Sequence, residues 1–336
     1  MPSTRSSPGN RVSKRPRTDE PSNDARPKTS HPAKSSEIWY KDGSIVLQAE
    51  NTRFRVHSTV LAQNSPIFED MLNIGESRGE DRVEGCPLVV LHDSAQDLES
   101  LLRALYDRTY FHTKYTQSLR RIASVLRLGK KYEITHLYDD GFELLKKEYS
   151  YILWEWDRCH LHPFRLPIRY TGIVFDVINL ARELDIMAIL PAAFYVCIMH
   201  IKDGDILDGY TCLSTGQPQK LSSSDQKIAI LGRQNAIALS MSTTFAWLDE
   251  HEMIDNCTDP DSCSARFHAI SDSLWKPFPR CAALCKWDTQ WEDHMCADCI
   301  AFAKSRHSEG RQRFWEKLPG CFDLDPWAKL VSRTHL

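Results

Sequence analysis

Cysteines are the residues of this 336-residue sequence whose type and spacing best suit chemistry, and they concentrate near its C-terminal end. Thiolate sulfur is a preferred ligand of Zn²⁺, and structural zinc sites use four ligands in a tetrahedron. Cys296 and Cys299 form a C-x-x-C pair, in which a tight turn brings both sulfurs to one ion. Cys257 and Cys263 form a looser pair across a Pro-Asp turn. These four residues are therefore candidate ligands of a structural zinc ion.

Buried free thiols are the alternative interpretation of this segment, because cysteine also serves as a small apolar core residue. Cys281 and Cys285 lie four positions apart in "CAALC", which predicts one face of a helix, and packing on an apolar face explains them at least as well as metal binding does. His294 is a spare ligand for the metal hypothesis. A thioredoxin-like redox role is not favoured, because no βαβ pattern surrounds Cys296.

Histidines outside this cluster give no comparable pattern. His57 lies where a strand pattern changes to a helix pattern, with no nucleophile and no second histidine at ligand spacing, so we interpret it as structural. His160 and His162 lie beside Cys159, but no fourth ligand is near, and a partly buried turn is the favoured interpretation. The chain has no Gly-rich phosphate loop, no G-x-S-x-G and no H-E-x-x-H, so we predict that it is not an enzyme.

Composition limits the class of protein further. Hydrophobic residues make up 42% of the chain, which supports a folded core, and the net charge of −3 does not favour nucleic-acid binding. The first residues hold no apolar run, so we expect no secretory signal and a location in the nucleus or cytoplasm. The odd number of cysteines, 11, then argues against a secreted disulfide scaffold. The most apolar stretch, residues 172–201, carries charges that would be costly in lipid, so no membrane span is predicted.

Residues 1–36 differ from the rest of the chain. They are rich in Ser, Pro, Arg and Lys and have almost no apolar side chains, which predicts a disordered basic tail. The segment "SKRPR" within it fits a short basic nuclear-import signal, but it fits a solvated tail equally well.

The elements of residues 37–150 follow a mixed pattern of strands and helices. "SIVLQA" and "TRFRV" predict a hairpin, because the second segment alternates with period two. Two short helices follow, with Ser58 and Ser65 as their capping residues and Pro66 at the first helical position of the second. "PLVVLH" predicts a third strand, Ser94 caps the next helix, and a further helical pair completes the order.

This order resembles the BTB/POZ domain, and the resemblance covers roughly residues 37–150. Its blocks read here "DGSIVLQAENTRFRVHSTVLAQNSPIFEDML", "PLVVLHDSAQDLESLLRALYDRTY" and "SVLRLGKKYEITHLYDDGFELL". The resemblance implies an α+β fold, a short β-sheet flanked by α-helices, in which the histidine closes the strand-to-helix corner and the serine caps the next helix. The residues at the matching motif positions are Asp42, Phe54, His57, Leu61, Ser65, Phe68 and Met71.

The resemblance also implies a function. BTB domains are protein–protein interaction modules, so we expect self-association through the first strand and helix, and binding of other proteins. Family members that bind a cullin carry an apolar residue, any residue and then Glu, a spacing that Ile74 and Glu76 match, which suggests a substrate adaptor for a cullin-type ubiquitin ligase. The alternative is a nuclear, transcription-associated regulator that acts through BTB-mediated assembly without reading DNA, since the cysteine region lacks the two-His pattern of a DNA-reading finger.

The family pattern is not followed everywhere. Ser58 stands where members usually carry a basic residue, and Gln63 and Asn64 stand where they often carry Ala or Arg. A charged pocket built from these positions is therefore not expected here.

Beyond the domain we predict an α-helical C-terminal region in two parts, a helical extension over 151–250 and a Cys-rich region over 251–336. The segment "NLARELDIMAILPAAFY" is similar to the region after the BTB domain in a large group of fungal, basidiomycete-type BTB proteins, which tend to show the two cysteine pairs at 257/263 and 296/299. We expect Ser224 to cap a helix of the extension, and a Pro-Gly turn at Pro319 to end an amphipathic helix in the Cys-rich part.

Overall fold

The computed structural model describes residues 32–75, 81–115, 117–159, 172–211, 218–250, 254 and 256–333. Its strands are β1 (Ala33–Trp39), β2 (Ile45–Ala49), β3 (Thr52–Val56), β4 (Arg82–Val83), β5 (Cys86–Leu91), β6 (Tyr210–Thr211) and β7 (Pro218–Gln219). Its α-helices are α1 (Ser58–Asn64), α2 (Pro66–Gly75), α3 (Ala95–Tyr106), α4 (Leu119–Lys131), α5 (Thr135–Glu148), α6 (Leu153–Cys159), α7 (Ile173–Leu184), α8 (Leu190–His200), α9 (Asp203–Asp208), α10 (Ser223–Ser242), α11 (Pro260–Trp275), α12 (Ala297–Cys321) and α13 (Trp327–Ser332).

A five-stranded sheet of order β1-β3-β2-β5-β4 forms the N-terminal part. β2 and β3 make the predicted antiparallel hairpin, with Leu47 opposite Phe54, and β5 runs parallel to β2. Glu50 in the hairpin turn has a φ of 50°, the left-handed backbone that tight hairpin turns use. The period-two alternation of β3 turns Phe54 and Val56 into the core, where both are fully buried.

Helices α1 to α5 share one core with this sheet. Ser94 caps α3, because its Oγ accepts a hydrogen bond of 3.0 Å from the backbone N–H of Asp97. The apolar stripe of α3 buries Leu98, Leu101 and Leu102 completely. A small sheet flanked by helices and followed by a helical region is the fold class that was predicted, and the structure confirms it.

The same core, the first core, runs on without a break from β1 to the end of α12. α8 is buried on every side over residues 190–198, which explains why that helix is apolar all round. At the junction, Arg127 Nε of α4 donates to Glu183 of α7 over 2.7 Å, and the Lys130 ammonium donates to the carbonyl of Leu184. The helical extension therefore packs directly on the helices that flank the sheet.

A second core lies in the Cys-rich part of the chain. Phe245 and Trp247, which follow α10, meet Phe267 of α11 there. Helix α12 belongs to both cores, since Ala303 near its start lies in the second and Phe314 near its end lies in the first. Among the described helices, α12 included, none is both long enough and apolar enough to cross a membrane.

Two helix starts differ from the prediction. Ser58 is the first residue of α1 rather than its cap, and His57 occupies the cap position without a side-chain cap bond. The N–H of Ser58 donates instead to Ser44 Oγ at 2.9 Å, so a residue from the sheet supplies the oxygen. Ser222, not Ser224, caps α10 by accepting from the backbone N–H of the residue three positions later.

The segment 281–285 is not helical, although the "CAALC" spacing predicted a helix face. Other elements take up its backbone groups. The N–H of Leu284 donates to Tyr195 Oη at 3.1 Å, and the carbonyl of Ala283 accepts from Thr244 Oγ1 at 2.8 Å. Bonds to neighbouring elements thus replace the intrahelical ones.

The predicted Pro-Gly turn is also wrong, because α12 continues through Pro319 and Gly320 to its end at Cys321. A proline inside a helix leaves the carbonyl four residues earlier without its donor. That carbonyl belongs to Trp315, and the indole Nε1 of Trp327 donates to it at 2.7 Å. Trp327 therefore supplies the hydrogen bond that Pro319 cannot.

The predicted N-terminal tail ends earlier than residue 36. Residues 33–36 form the start of β1, which pairs with β3 in parallel. The rest of the tail, with the "SKRPR" segment, lies outside the described residues, and so do His160 and His162.

A candidate four-cysteine metal site and the BTB motif residues

The two predicted cysteine pairs meet in space. The sulfurs of Cys257, Cys263, Cys296 and Cys299 all lie within 4.8 Å of one another, and all four are free thiols. Cys257 Sγ lies 3.5 Å from Cys299 Sγ and 3.9 Å from Cys296 Sγ. A tetrahedral zinc ion with Zn–S bonds of about 2.3 Å needs sulfurs roughly 3.8 Å apart. The spacing therefore suits a tetrahedral thiolate site.

Two helix starts position these ligands. Cys263 lies in the first turn of α11, after the capping residue Asp259, whose side chain accepts from the N–H of Ser262. Cys296 occupies the cap position of α12, and Cys299 lies in its first turn. The remaining ligand, residue 257, comes from the turn before α11. Each predicted pair thus combines a residue before a helix with one in its first turn, and the long segment between the pairs returns to close the site.

Backbone N–H groups surround the sulfurs. The N–H of Cys296 donates to Cys263 Sγ at 3.2 Å. The backbone N–H groups of Cys299 and Thr258 donate to Cys296 and lower the pKa of its thiol to about 6. Burial raises the pKa of Cys263 and of Cys299. The start of α12, where N–H groups lack intrahelical partners, and the N–H of Thr258 before α11 thus face a group of potential thiolates, an arrangement that favours negative charge.

The cluster contains no histidine, so His294 is not part of it. Cys281 and Cys285 lie apart from it as well, in the 281–285 segment between the two cores. Burial raises their pKa values to about 12 and about 11, which makes them unreactive thiols. Cys285 Sγ lies 3.8 Å from His307 Nε2, but burial lowers the pKa of His307 to about 4, so neither partner is charged at neutral pH.

His307 is a feature that the sequence did not indicate. It is only 2% exposed on α12, and its ring is surrounded by Phe245, Trp287 and Trp291 at centroid distances between 5.5 and 5.8 Å. The local sequence "KSRHSEG" is polar, so nothing in it predicts burial. The three aromatic residues around it come from two separate segments, and only their packing brings them to this ring.

The chemistry that this cluster permits is narrow. Four thiolates would fill the coordination shell of a zinc ion and leave no open position for water, so a metal there would be structural rather than catalytic. The ligands border the second core, in which Cys263 and Cys299 are buried. A metal would therefore connect the starts of α11 and α12 to one aromatic cluster.

The residues of the BTB motif form a separate group around the hairpin and α1. His57 Nε2 lies 3.3 Å from Asp42 Oδ1, and its Nδ1 lies 3.1 Å from Tyr106 Oη. The backbone N–H of His57 also donates to Tyr106 Oη at 2.9 Å, and the ring of Tyr106 stacks on Tyr40. His57 is thus held at the strand-to-helix corner by three contacts with two side chains, Asp42 and Tyr106, neither of which is a nucleophile poised for catalysis.

Ser65 and Phe68 join the next helix to α4. Ser65 Oγ accepts from the N–H of Phe68 at 3.0 Å and donates to the carbonyl of Tyr132. Phe68 is 1% exposed and stacks on the ring of Tyr132 with centroids 4.3 Å apart. Phe54 and Leu61 are fully buried, whereas the last motif residue, at 71, is half-buried.

The candidate cullin contact is only partly described. Ile74 lies in α2, but its side chain is outside the described part of the structure, and so is the whole of Glu76. The geometry therefore leaves this contact as a prediction.

Comparison with known protein families gives a match. A family model for the BTB/POZ domain matches residues 41–149, the region that holds the sheet from β2 to β5 and helices α1 to α5. A search of curated proteins finds no match. The helical extension and the four-cysteine site lie outside the matched range.

Proposed function

We propose that this chain, which carries a BTB/POZ domain, is an interaction protein that self-associates through that domain and holds partner proteins with its remaining surfaces. BTB domains are interaction modules, and the match over residues 41–149 is the observation that carries the proposal. The grouping with fungal BTB-domain proteins belongs to the same proposal and rests on the resemblance of "NLARELDIMAILPAAFY".

The surface best suited to a second copy includes β1 and α1. β1 ends the strand order, so its outer edge has no strand partner among the described residues, and such edges readily pair with another chain. In α1 only Leu61 is buried, while Val60 and Ala62 remain half-buried. Burial of these side chains against a second copy would remove apolar area from water.

Light scattering of the full chain at micromolar concentration tests this proposal. We expect a mass of twice the 38.7 kDa of one chain. Val60→Asp should shift the mass toward one chain, because the interface would then bury an unpaired charge. Lys227→Asp, on the exposed side of α10, is the matched control and should leave the dimer intact. A strictly monomeric wild type would contradict self-association.

The finer role that we propose is that of a substrate adaptor for a cullin-type ubiquitin ligase. It rests on the family resemblance and on the spacing of Ile74 and Glu76. A pull-down with purified cullin should recover the wild-type chain, and Glu76→Lys should weaken that recovery while the melting curve stays unchanged. No recovery of cullin by the wild type would remove this role.

The alternative is a nuclear, transcription-associated regulator that assembles through the BTB domain without direct DNA reading. Its support is the "SKRPR" segment at residues 13–17. A fluorescent fusion should accumulate in the nucleus and lose that accumulation when residues 13–17 are deleted. An unchanged distribution would leave the adaptor role as the better proposal.

We also propose one structural zinc ion bound by Cys257, Cys263, Cys296 and Cys299. The sulfur separations and the absence of any disulfide among these cysteines support it. Elemental analysis of purified chain should find about one zinc per chain, and Cys296→Ser should abolish most of it, since zinc needs all four ligands. Cys86→Ser is the control, because Cys86 lies in β5, away from the cluster, and should leave the zinc content unchanged. Purified wild type without zinc would contradict the site.

A further inference from the structure

The most exposed large apolar side chain among the described residues belongs to Phe278. It is 81% exposed, whereas the next three, Val90, Tyr115 and Trp154, are each 57% exposed. Single exposed apolar side chains are common on proteins and need no explanation by themselves. Phe278 differs because its backbone is constrained and because charged side chains lie beside it. We name this surface, residues 276–280, the KPFPR loop.

The backbone of the KPFPR loop is constrained at both ends and at its tip. The N–H of Lys276 donates to the carbonyl of Asp272 at 2.9 Å, and the N–H of Arg280 donates back to the carbonyl of Leu274 at 3.0 Å. Pro277 and Pro279 flank Phe278, and each proline fixes its own φ and restricts the residue before it. Binding through such a loop loses little conformational entropy, because little freedom remains to be lost.

The base of the loop is part of the second core. Leu274 is 6% exposed, and the neighbouring Trp275 packs edge-to-face on Phe245 with centroids 5.6 Å apart. Phe278 itself points away from this anchored base. The chain thus places a rigid aromatic tip directly outside the cluster that the four cysteines border.

Two cations flank the tip. Lys276 is 72% exposed at its side chain and pairs with Asp272 of α11 at 2.7 Å, an exposed pair that contributes little binding energy of its own. Arg280 is exposed and makes no ion pair within the described residues. The loop therefore offers one aromatic ring between a lysine and an arginine, with at least one positive charge left for a partner.

We propose that the KPFPR loop is a docking surface for an acidic protein segment, in which an apolar pocket receives the ring of Phe278 and carboxylates face Lys276 and Arg280. Aromatic residues and arginine are the side chains most enriched where protein interfaces concentrate their binding energy. One aromatic ring and two cations are too little for stable attachment to a lipid surface, which takes a larger apolar face or a second anchor. This surface adds to the proposed BTB interface and does not depend on self-association.

A displayed library of random 16-residue peptides tests the proposal with the full chain as target. Peptides that bind wild type should be rich in Asp and Glu around aromatic or aliphatic residues. The affinity of the best synthetic peptide, measured by fluorescence anisotropy, should fall about tenfold or more in Phe278→Ala, as expected of a central anchor. Arg280→Glu should also weaken the affinity for the peptide and make that affinity less dependent on salt concentration.

The control is Leu207→Ala on α9, which removes another exposed side chain, 51% exposed, and should leave the affinity unchanged. All three variants should keep the wild-type melting curve, because none of the changed side chains is buried. The proposal is overturned if the selected peptides are not acidic, if Phe278→Ala binds them as tightly as wild type, or if no peptide is selected. Binding to phosphatidylserine vesicles that is lost in Phe278→Ala would overturn it in favour of a membrane contact.

Discussion

At the level of single residues, contacts with neighbouring side chains hold both His57 and His307 in place. His57 closes a corner between a strand and a helix through Asp42 and Tyr106. His307 is buried in the second core, where a charged imidazolium would lack solvation. Both are suited to structural roles, and the burial of His307 lowers the pKa of its ring.

His307 should make the fold sensitive to acid. Its pKa is about 4 in the folded chain and about 6.5 when unfolded. Above pH 6.5 the imidazole of His307 is neutral in both the folded and the unfolded chain, and it then makes its full contribution to stability. As the pH falls from 6.5 toward 4, only the unfolded state takes up the proton, so the free energy of unfolding should decrease by about 3 kcal/mol in total.

The measurement is denaturant unfolding at pH 7 and at pH 5, in wild type and in His307→Gln. The decrease in the free energy of unfolding from pH 7 to pH 5 should be about 2 kcal/mol smaller in the variant, because glutamine does not titrate. Equal losses in the two proteins would show that His307 does not carry this dependence. The comparison between proteins also removes the common effect of acid on the cysteines.

Phe68 tests the packing of the BTB domain. Phe68→Asp would place an unpaired carboxylate against Tyr132 in the first core, at a cost of several kcal/mol, which approaches the whole stability of a small domain. Thermal unfolding should show a large drop in melting temperature or no folded state. Glu69→Gln, one residue along and exposed, is the control and should melt like wild type. A melting curve for Phe68→Asp equal to that of wild type would contradict the packing of α2.

At the scale of the element, α12 owes its position to polar contacts as well as to apolar ones. Arg311 forms a two-bond pair with Asp157 of α6 and also donates to the carbonyl of Leu284 at 3.1 Å. Trp315 Nε1 donates to the carbonyl of Tyr151 at 3.2 Å. One helix thus contacts the start of the helical extension, the 281–285 segment and the second core.

Removal of the Arg311 pair should loosen this helix. The two side chains are 12% and 24% exposed, so Asp157→Asn would leave a largely buried guanidinium without its counter-charge. We expect a loss of about 2–4 kcal/mol in the free energy of unfolding, less than for a fully buried pair. Asp325→Asn, which breaks pairs with Lys329 and Arg333 on the surface, should cost much less free energy of unfolding, because water and salt screen exposed ion pairs.

Denaturant unfolding of both variants checks this ranking. The double variant Asp157→Asn with Arg311→Met should recover part of the loss, because it no longer contains an unpaired buried charge. Equal losses of unfolding free energy in Asp157→Asn and Asp325→Asn would contradict a special role for the pair between Arg311 and Asp157.

At the scale of the whole molecule, two cores of different construction share α12. The first is continuous from the sheet to the end of that helix, and none of the four clustered cysteines belongs to it. The second is small and rich in tryptophan, and the four cysteines lie along its border. A bound zinc ion should therefore matter chiefly for the second core.

Removal of zinc by a chelator should open the second core before the first. Apparent stabilisation by structural zinc is on the order of ten kcal/mol in small finger peptides, so its loss would exceed what a small aromatic cluster supplies. Amide hydrogen exchange should accelerate in α11 and in the first turns of α12, while β2, β3 and α8 stay protected. Tryptophan emission should shift to the red as the second core opens.

Cys296→Ser without chelator should reproduce this exchange pattern, and Cys86→Ser should not. Uniform acceleration across the chain would indicate one cooperative unit, and no change at all would show that the cysteines are packing residues.

Features that depend on neighbouring residues could be predicted from the sequence alone. The alternation of "TRFRV" predicted β3, and the serines at 65 and 94 predicted helix starts, because a cap bonds to a backbone N–H only three residues away. The C-x-x-C spacing indicated that Cys296 and Cys299 could share an ion for the same reason. The order of such local features carried the resemblance to the BTB/POZ domain, which the family match over residues 41–149 supports.

Features that depend on distant partners required the folded chain. It brought the two predicted cysteine pairs together, which the spacing within either pair does not determine, and it left Cys281 and Cys285 outside the cluster. It kept α12 helical through Pro319, because a tryptophan from α13 supplies the missing donor. It unwound the 281–285 segment, because Tyr195 and Thr244 bind its backbone. In the last two cases hydrogen bonds and packed side chains from far along the chain outweighed a local preference, which is about 3 kcal/mol against a proline inside a helix.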